Sequence, residues 1–151
     1  MKGLPLLLAA LALTACKGTE FEPPSREGQV EDAAATYSPA LFDTVAWQGD
    51  EARMEEGNLV YAAECRECHG PLGRGGTDYA RERDLDVPSL VDPAWEHGTD
   101  LEAVRRQIYV GHPEGMPTWG VSDISPREID AVAYYLLFGL RPEVLGDGSG
   151  P

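Results

Sequence analysis

Apolar residues recur at helical spacing in three segments of the chain, whereas no stretch alternates apolar and polar positions over the length of a strand. The last segment has the clearest pattern, with apolar residues at i, i+3, i+4, i+7 and i+8: Ile129, Val132, Ala133, Leu136 and Leu137. Before it, Ser125 is an N-cap residue, Pro126 occupies the first helical position and Glu128 completes a capping box. Gly139 and Pro142 predict the end of this helix.

The first helical segment is predicted to begin at Asp50, an N-cap residue followed by acidic side chains. Its inward face includes Gly57, Val60 and Tyr61, and it leads directly to Cys65. A glycine inside a helix costs up to about 1 kcal/mol relative to alanine. Gly57 therefore indicates that another backbone comes close to this helix.

The middle segment is predicted to start with a second capping box, with Thr99 at the N-cap and Glu102 at N3. It continues to Tyr109, and Gly111 ends it. Its inward face contains Leu101, Val104 and Ile108. Together the three segments predict one all-α domain over residues 50–142.

The chain begins with Met1-Lys2 and an apolar run too short to span a membrane, which is typical of a secretory signal over residues 1–15. The sequence Leu13-Thr14-Ala15-Cys16 resembles the lipobox of bacterial lipoproteins and predicts lipidation of Cys16. Ordinary signal cleavage would instead leave Cys16 as a free thiol, a liability in an oxidising compartment. We therefore expect a protein of the cell envelope, lipid-anchored on the periplasmic or extracytoplasmic face of a membrane.

Residues 16–49 are predicted to be a lipidated N-terminus and a flexible acidic tether, because bulky apolar residues are scarce between Lys17 and Gly49. The aromatic patch at residues 37–47 is the exception, and we expect it to pack on the domain, although contact with a partner is the alternative. Residues 143–151 are predicted to be a disordered tail.

The 151-residue chain has a formal net charge of −14, from 26 acidic and 12 basic residues. This charge argues against nucleic acid and anionic lipid headgroups as partners, because both require a basic surface. It favours a partner with a basic docking patch, although acidity that serves only solubility is an equal alternative.

The most informative motif is Cys65-Arg66-Glu67-Cys68-His69, which has the C-x-x-C-H pattern of covalent c-type haem attachment. Two thiols add to the haem vinyl groups, and the adjacent histidine becomes the proximal ligand of the iron. A zinc site would need about four ligands, and a thioredoxin-like site should follow a strand in a βαβ pattern. Neither context is present, so the motif favours one covalently attached haem c.

The second axial ligand is predicted to be Met116, in the loop Gly111-His112-Pro113-Glu114-Gly115-Met116-Pro117 between two helices. Met116 lies on no apolar stripe, and loops on rigid scaffolds often carry ligands. His112 is a competent alternative that would give bis-histidine ligation and a lower reduction potential. His97 is predicted to be a surface residue.

The order helix, C-x-x-C-H-G, glycine-rich loop, Pro-x-Leu, helix, loop Met-Pro and helix resembles the class I monohaem cytochromes c. The resemblance covers about residues 50–140, and the chain is similar in particular to the c-type domains attached to bacterial respiratory oxidases. It implies a cytochrome c-like fold of three to five helices around one covalently bound haem, with thioethers at Cys65 and Cys68 and with His69 and Met116 on the iron.

The resemblance also implies several supporting roles. The Pro88 carbonyl would accept a hydrogen bond from His69, and Trp119 and Arg74 would contact the haem propionates. Gly57 and Tyr61 would cross the last helix near Tyr134 and Tyr135. Mitochondrial relatives dock through lysines, but both lysines of this chain lie outside the domain, so the polarity of the partner is expected to be inverted.

The function predicted from these features is one-electron transfer between membrane-bound redox complexes or other cytochromes, by a carrier that is not an enzyme. The alternative is a haem enzyme or gas sensor with a displaceable distal ligand, which the ready distal methionine disfavours.

Overall fold

The computed structural model describes residues 22–122 and 124–146, and every regular element in these ranges is helical. The α-helices are α1 (Arg26–Thr36), α2 (Asp50–Val60), α3 (Arg66–His69), α4 (Asp78–Glu82), α5 (Leu101–Val110), α6 (Pro126–Tyr135) and α7 (Arg141–Leu145). Two π-helical turns, Tyr61–Cys65 and Leu136–Leu140, join α2 to α3 and α6 to α7. Within the described ranges the chain therefore forms five continuous helices, and the all-α prediction is confirmed.

The crossing of α2 and α6 forms the centre of the domain. A Cβ atom added to Gly57 would lie 2.2 Å from the carbonyl oxygen of Ala131, so the two backbones are almost in contact. Near this crossing the rings of Tyr61 and Tyr135 pack with their centroids 5.7 Å apart. The prediction that another backbone approaches Gly57 is confirmed.

The predicted N-cap is right for α6 and wrong for α2 and α5, and the predicted end of α5 at Gly111 is confirmed. Ser125 and Glu128 form the reciprocal capping box expected at the start of α6. At α5, however, the N-cap is Asp100, whose carboxylate accepts a hydrogen bond from the Ala103 amide at 3.0 Å. Glu102 is therefore at the second helical position and not at N3, and its carboxylate accepts a hydrogen bond from the Tyr37 hydroxyl.

The start of the α2–α3 helix and the end of the α6–α7 helix also differ from the prediction. Asp50 is the first helical residue of α2, and Gly49 occupies the N-cap position. The last helix does not end at Gly139 or Pro142, because a π-helical turn accommodates the glycine and the proline lies in the first turn of α7. Gly146, with a left-handed φ of 73°, ends it instead.

Residues 26–47 form a folded strap on the domain, so the expectation of an extended tether from Lys17 to Gly49 is wrong for this part. Ala33 on α1 is completely buried. The Thr36 hydroxyl lies 3.3 Å from that of Tyr109 on α5, and the Tyr37 ring packs edge-on against the Tyr109 ring. Small alanines let α1 approach α5 closely, and the aromatic patch supplies the buried area, as expected for residues 37–47.

Asp130 connects the strap to three helices. This carboxylate lies on α6, is 1% exposed, and accepts hydrogen bonds from Trp47 Nε1 at 2.7 Å, Arg53 Nη2 at 2.5 Å and Arg105 Nε at 2.9 Å. Its three partners come from the strap, α2 and α5. A buried carboxylate is stable here because it is paired and fully hydrogen-bonded.

Several predictions concern the chain termini. The predicted signal and Cys16 lie outside the described residues. Of the predicted disordered tail, residues 143–145 belong to α7, and residues 147–151 lie outside the described ranges. None of the helices described in residues 22–122 and 124–146 is long and apolar enough to cross a membrane.

Candidate haem site

The C-x-x-C-H motif lies at the end of the continuous helix of residues 50–69. The π-helical turn Tyr61–Cys65 precedes α3, and such turns often occur at functional sites. Gly70 ends α3 with a positive φ of 80°, and its carbonyl accepts a buried hydrogen bond of 2.7 Å from the Tyr61 hydroxyl. Tyr61 therefore fixes the position at which the chain leaves the motif.

A cavity of about 450 Å³ opens beside this motif. It is lined by six of the seven residues predicted for the haem: Cys65, Cys68, His69, Pro88, Met116 and Trp119. Arg74 is exposed and does not line it. The volume is in the usual range for a ligand pocket, and core side chains from α5 and the last helix form its apolar wall: Val104, Ile108 and Leu136.

Burial determines the chemistry of the motif. It raises the pKa of the Cys65 thiol to about 12, with smaller contributions from Glu64 and Cys68, and burial also raises the pKa of Cys68. Thiol redox chemistry needs a thiolate, which forms where the thiol pKa is lowered, so burial acts against it here. Moreover, no group of three or more potential metal-ligating side chains occurs in residues 22–122 and 124–146. These observations disfavour the two alternatives to haem attachment.

His69 is held as a neutral imidazole. Burial lowers the pKa of its ring, and the backbone carbonyl of Pro88 acts in the opposite direction. The Nδ1 atom is buried without a hydrogen bond of good geometry. A neutral ring is the form that ligates a metal, and the Pro88 carbonyl is the acceptor beside it that could orient the ring.

Besides His69, two histidines line the cavity together with Met116. The His112 side chain is 50% exposed, and its Nδ1 atom lies 3.3 Å from the Glu114 amide and 3.5 Å from the Glu114 carboxylate. These contacts hold His112 towards the solvent side, whereas Met116 is half-buried against the core. His97, predicted to be a surface residue, instead lines the cavity with its side chain 24% exposed, because its ring packs edge-on against Trp95.

The loop that carries Met116 is closed by tight backbone contacts. The His112 amide donates to the Met116 carbonyl at 3.0 Å. Gly111 has a φ of 75°, and a Cβ atom there would lie 2.4 Å from the Pro117 carbonyl oxygen. Only glycine fits this conformation and this approach, so Gly111 ends α5 and also sets the return of the loop to the cavity.

Two loops are joined around His69. The Gly75 amide donates to the His69 carbonyl at 2.8 Å, and the Leu90 amide donates to the Gly73 carbonyl at 2.8 Å. Arg141, 6% exposed, donates from Nη1 to the carbonyls of Leu90 and Asp92. The last helix thus supports the segment that presents Pro88, a role for Arg141 that the sequence pattern does not indicate.

Some lining residues were not predicted. The cavity is also lined by Tyr79, Leu85 and Trp95, which lie in segments where the sequence pattern indicates no contact with a cofactor. Leu85 packs so close to Gly115 that a Cβ atom on the glycine would lie 2.7 Å from Leu85 Cδ2. The available signal was a bulky apolar residue, Leu85 or Trp95, within a polar loop.

An all-helical domain with C-x-x-C-H at the wall of one apolar cavity is a class I-like cytochrome c domain. A comparison with known families agrees with this: the family described as "Cytochrome C oxidase, cbb3-type, subunit III" matches residues 52–136. This match covers more than half of the chain, and the chain belongs to that family. The recognition of a class I-like cytochrome c domain similar to those attached to respiratory oxidases is confirmed.

Curated relatives carry related descriptions. Cbb3-type cytochrome c oxidase subunit FixP of Azorhizobium caulinodans is 32% identical over 88 residues, which cover 58% of this chain and 28% of that subunit. Subunit CcoP of Rhodobacter capsulatus is 32% identical over 93 residues, covering 58% of this chain and 29% of the subunit. Subunit FixP of Bradyrhizobium sp. (strain ORS 278) is 29% identical over 127 residues, which cover 76% of this chain and 41% of that subunit.

The chain thus spans less than half the length of each of these relatives. No solved structure gives a significant match. The family implies a haem c, and the residues fit it: two protonated thiols, a neutral histidine with a buried unpaired Nδ1, and an apolar cavity that also receives a methionine.

Proposed function

We propose that the protein is a one-electron carrier of a respiratory chain with a single, covalently attached haem c. Thioethers would form at Cys65 and Cys68, and His69 and Met116 would be the axial ligands. The observation that carries this proposal is the meeting of these four side chains in one cavity of about 450 Å³. A haem with one nitrogen and one thioether ligand supplies reversible Fe(III)/Fe(II) chemistry at a raised potential.

The residues around the site would keep the reorganisation energy of electron transfer low. His69 is buried and neutral, and the Pro88 carbonyl would fix its ring through Nδ1. The apolar wall from α5 and the last helix would exclude water, so few groups need to reorganise when an electron arrives. Trp119 and Arg74 would contact the propionates: Trp119 already lines the cavity, whereas Arg74 would have to turn towards it from the loop of residues 70–76.

We further propose that Cys16 carries a lipid and that the protein acts at the periplasmic or extracytoplasmic face of a membrane. The partners would be membrane-bound redox complexes or other cytochromes with a basic docking patch. The relatives named as oxidase subunits support a respiratory partner, and the net charge of −14 supports its polarity. A tether would keep the carrier close to membrane-bound donors and acceptors.

The test is spectroscopic and uses the full chain produced with haem. The pyridine haemochrome spectrum should show one haem with both vinyl groups consumed, and the haem should remain with the protein in acidified acetone. Met116→Ala should abolish the methionine-to-iron charge-transfer band of the ferric protein. His112→Ala is the matched control, because it removes the competing ligand from the same loop and should leave that band unchanged.

The opposite pair of results, with His112→Ala altering the band and Met116→Ala leaving it, would replace Met116 by His112 as the ligand. Rapid carbon monoxide binding to the reduced wild-type protein would contradict the carrier function and support a haem enzyme or gas sensor with a displaceable ligand.

A further inference from the structure

A surface groove of about 280 Å³ lies between the second half of α2 and the start of α6. Its lining includes Glu56, Leu59, Ala63, Glu64, Ile124 and Glu128, and we call it the α2–α6 groove. Leu59 is 62% exposed, which is the largest exposure of any bulky apolar residue in the described ranges. Isolated exposed leucines are ordinary on protein surfaces, but this one lies in a concave site.

The groove adjoins the haem cavity through shared lining residues. Ala63 and Glu64 line both spaces, and they directly precede Cys65. A molecule seated in the groove would therefore contact the residue next to the proposed thioether. Electron tunnelling needs a short path, so this is a favourable place for a redox partner.

The charge of the groove is negative throughout. Glu56, Glu64 and Glu128 surround the apolar floor, and no lysine or arginine lines it. The nearby Arg127 is turned away, since its guanidinium stacks 3.6 Å from the Trp47 ring centroid and donates to the Ala46 carbonyl at 2.7 Å. Hydrogen bonds from the Ser125 hydroxyl and amide also keep the Glu128 carboxylate ionised.

We propose that the α2–α6 groove is the docking surface for a redox partner protein that presents lysines or arginines around an apolar residue. The inference rests on the proposed electron-carrier function and assigns it a place on the molecule. Complementary charge would steer the encounter, and Leu59 would provide the small desolvated contact that such brief complexes use. Repulsion from the same carboxylates disfavours a second copy of this chain and an anionic lipid surface as occupants.

The experiment measures electron transfer from the reduced, haem-loaded full chain to a lysine-rich mitochondrial-type cytochrome c, by stopped-flow absorbance at increasing salt. The double variant Glu56→Gln/Glu64→Gln should lower the second-order rate constant about fivefold at low salt and weaken its salt dependence. Leu59→Gln should lower the rate about threefold with an unchanged salt slope. Because Glu64 lines the haem cavity, the potential of each variant is titrated and rates are compared at equal driving force.

The matched control is Glu27→Gln/Glu31→Gln, which removes the same two charges from the exposed face of α1. It should change the rate constant less than twofold. An equal effect of both double variants would show that net charge alone matters, which would overturn the groove as the docking surface.

Amide chemical shifts locate the contact directly. With the reduced probe added to ¹⁵N-labelled reduced protein, no net electron transfer alters the spectrum, and the changes should fall on residues 56–64 and 124–128. Normal haem spectra and normal electron transfer with shifts confined to another face would overturn the groove and leave the carrier function standing. A wild-type protein that loads haem but transfers no electrons would overturn both.

Discussion

Gly57 on α2 lies so close to the backbone of Ala131 on α6 that there is no room for a side chain at residue 57. A Cβ atom at residue 57 would lie 2.2 Å from the Ala131 carbonyl oxygen and 2.6 Å from Tyr135 Cβ. This contact sets the helix crossing on which the C-x-x-C-H motif depends, because residues 50–69 form one continuous helix that ends in His69. Moving α2 at its crossing would therefore move the motif.

Gly57→Ala should lower the free energy of unfolding by about 3 kcal/mol, because the clash is with backbone and cannot be relieved by a rotamer change. Urea unfolding of the haem-loaded protein measures this. Gly28→Ala on α1 is the control, since its Cβ atom would meet side-chain atoms at 3.5 Å or more. There we expect no loss of stability, because alanine is the better helix former. Equal stability of Gly57→Ala and wild type would show that the helices can separate freely.

Asp130→Asn should also destabilise the fold by about 3 kcal/mol. It leaves two guanidinium groups, Arg53 and Arg105, without their shared counter-charge at a site where their side chains are only 14% and 21% exposed. Thermal unfolding measures the loss, and Trp47 fluorescence should shift to longer wavelength as the strap loosens.

The control for this prediction is Asp78→Asn, which breaks an ion pair with Arg81 in which the aspartate side chain is 89% exposed. Surface pairs of this kind contribute little, so unfolding should be unchanged. A similar loss in both variants would contradict the special role of the buried carboxylate.

Glu128→Gln should have a pH-dependent effect. Hydrogen bonds from the Ser125 side chain and then its amide lower the pKa of Glu128. A lowered folded-state pKa stabilises the protein above the ordinary glutamate value of about 4.3, and this stabilisation is lost as pH falls through the folded-state value.

Glutamine keeps an acceptor oxygen but has no charge at the start of α6, so the variant should lose about 0.5 kcal/mol at neutral pH. The difference from wild type should vanish when chemical unfolding is repeated below the folded-state pKa. Glu31→Gln, at an exposed position of α1, provides the comparison. A difference that grows on acidification would reverse the sign of the argument.

Cys16→Ser should release the protein from membranes if Cys16 is the lipidated residue, because hydroxyl cannot form the thioether that carries the lipid. Membrane and soluble fractions are compared by haem staining, with Glu20→Gln as a variant of the same segment that should remain bound. Continued membrane association of Cys16→Ser would mean that another attachment exists.

Part of the structure follows from local sequence. The capping box at Ser125 and the stripe beginning at Ile129 determine α6 from neighbouring residues alone, since helix starts and amphipathic faces are local properties. The C-x-x-C-H motif and the end of α5 at Gly111 are also local features. The motif depends on the two residues between its cysteines, and the helix end depends on the backbone conformation of one glycine. For these features the sequence was sufficient.

Other features were decided only when distant segments packed together. Thr99 and Glu102 fit the pattern of a capping box. In the structure, however, the Glu102 carboxylate accepts a hydrogen bond from the hydroxyl of Tyr37, 65 residues away in the chain. Asp130 lies within a helix whose apolar stripe suggested the core, and its burial depends on Trp47, Arg53 and Arg105 arriving from elsewhere. No local pattern records such long-range partners, so these contacts could not be read from the sequence.

The sequence by itself therefore determined the helical class and the residue types from which the haem site is proposed: two thiols, a histidine and a loop methionine. Tertiary structure decided which side chains share the cavity, that residues 26–47 fold onto α5, and that Leu59 remains exposed beside the motif. The physical reason is that ligand type and helix propensity belong to individual residues and short spacings. Burial and charge pairing belong to surfaces that exist only after the helices have packed.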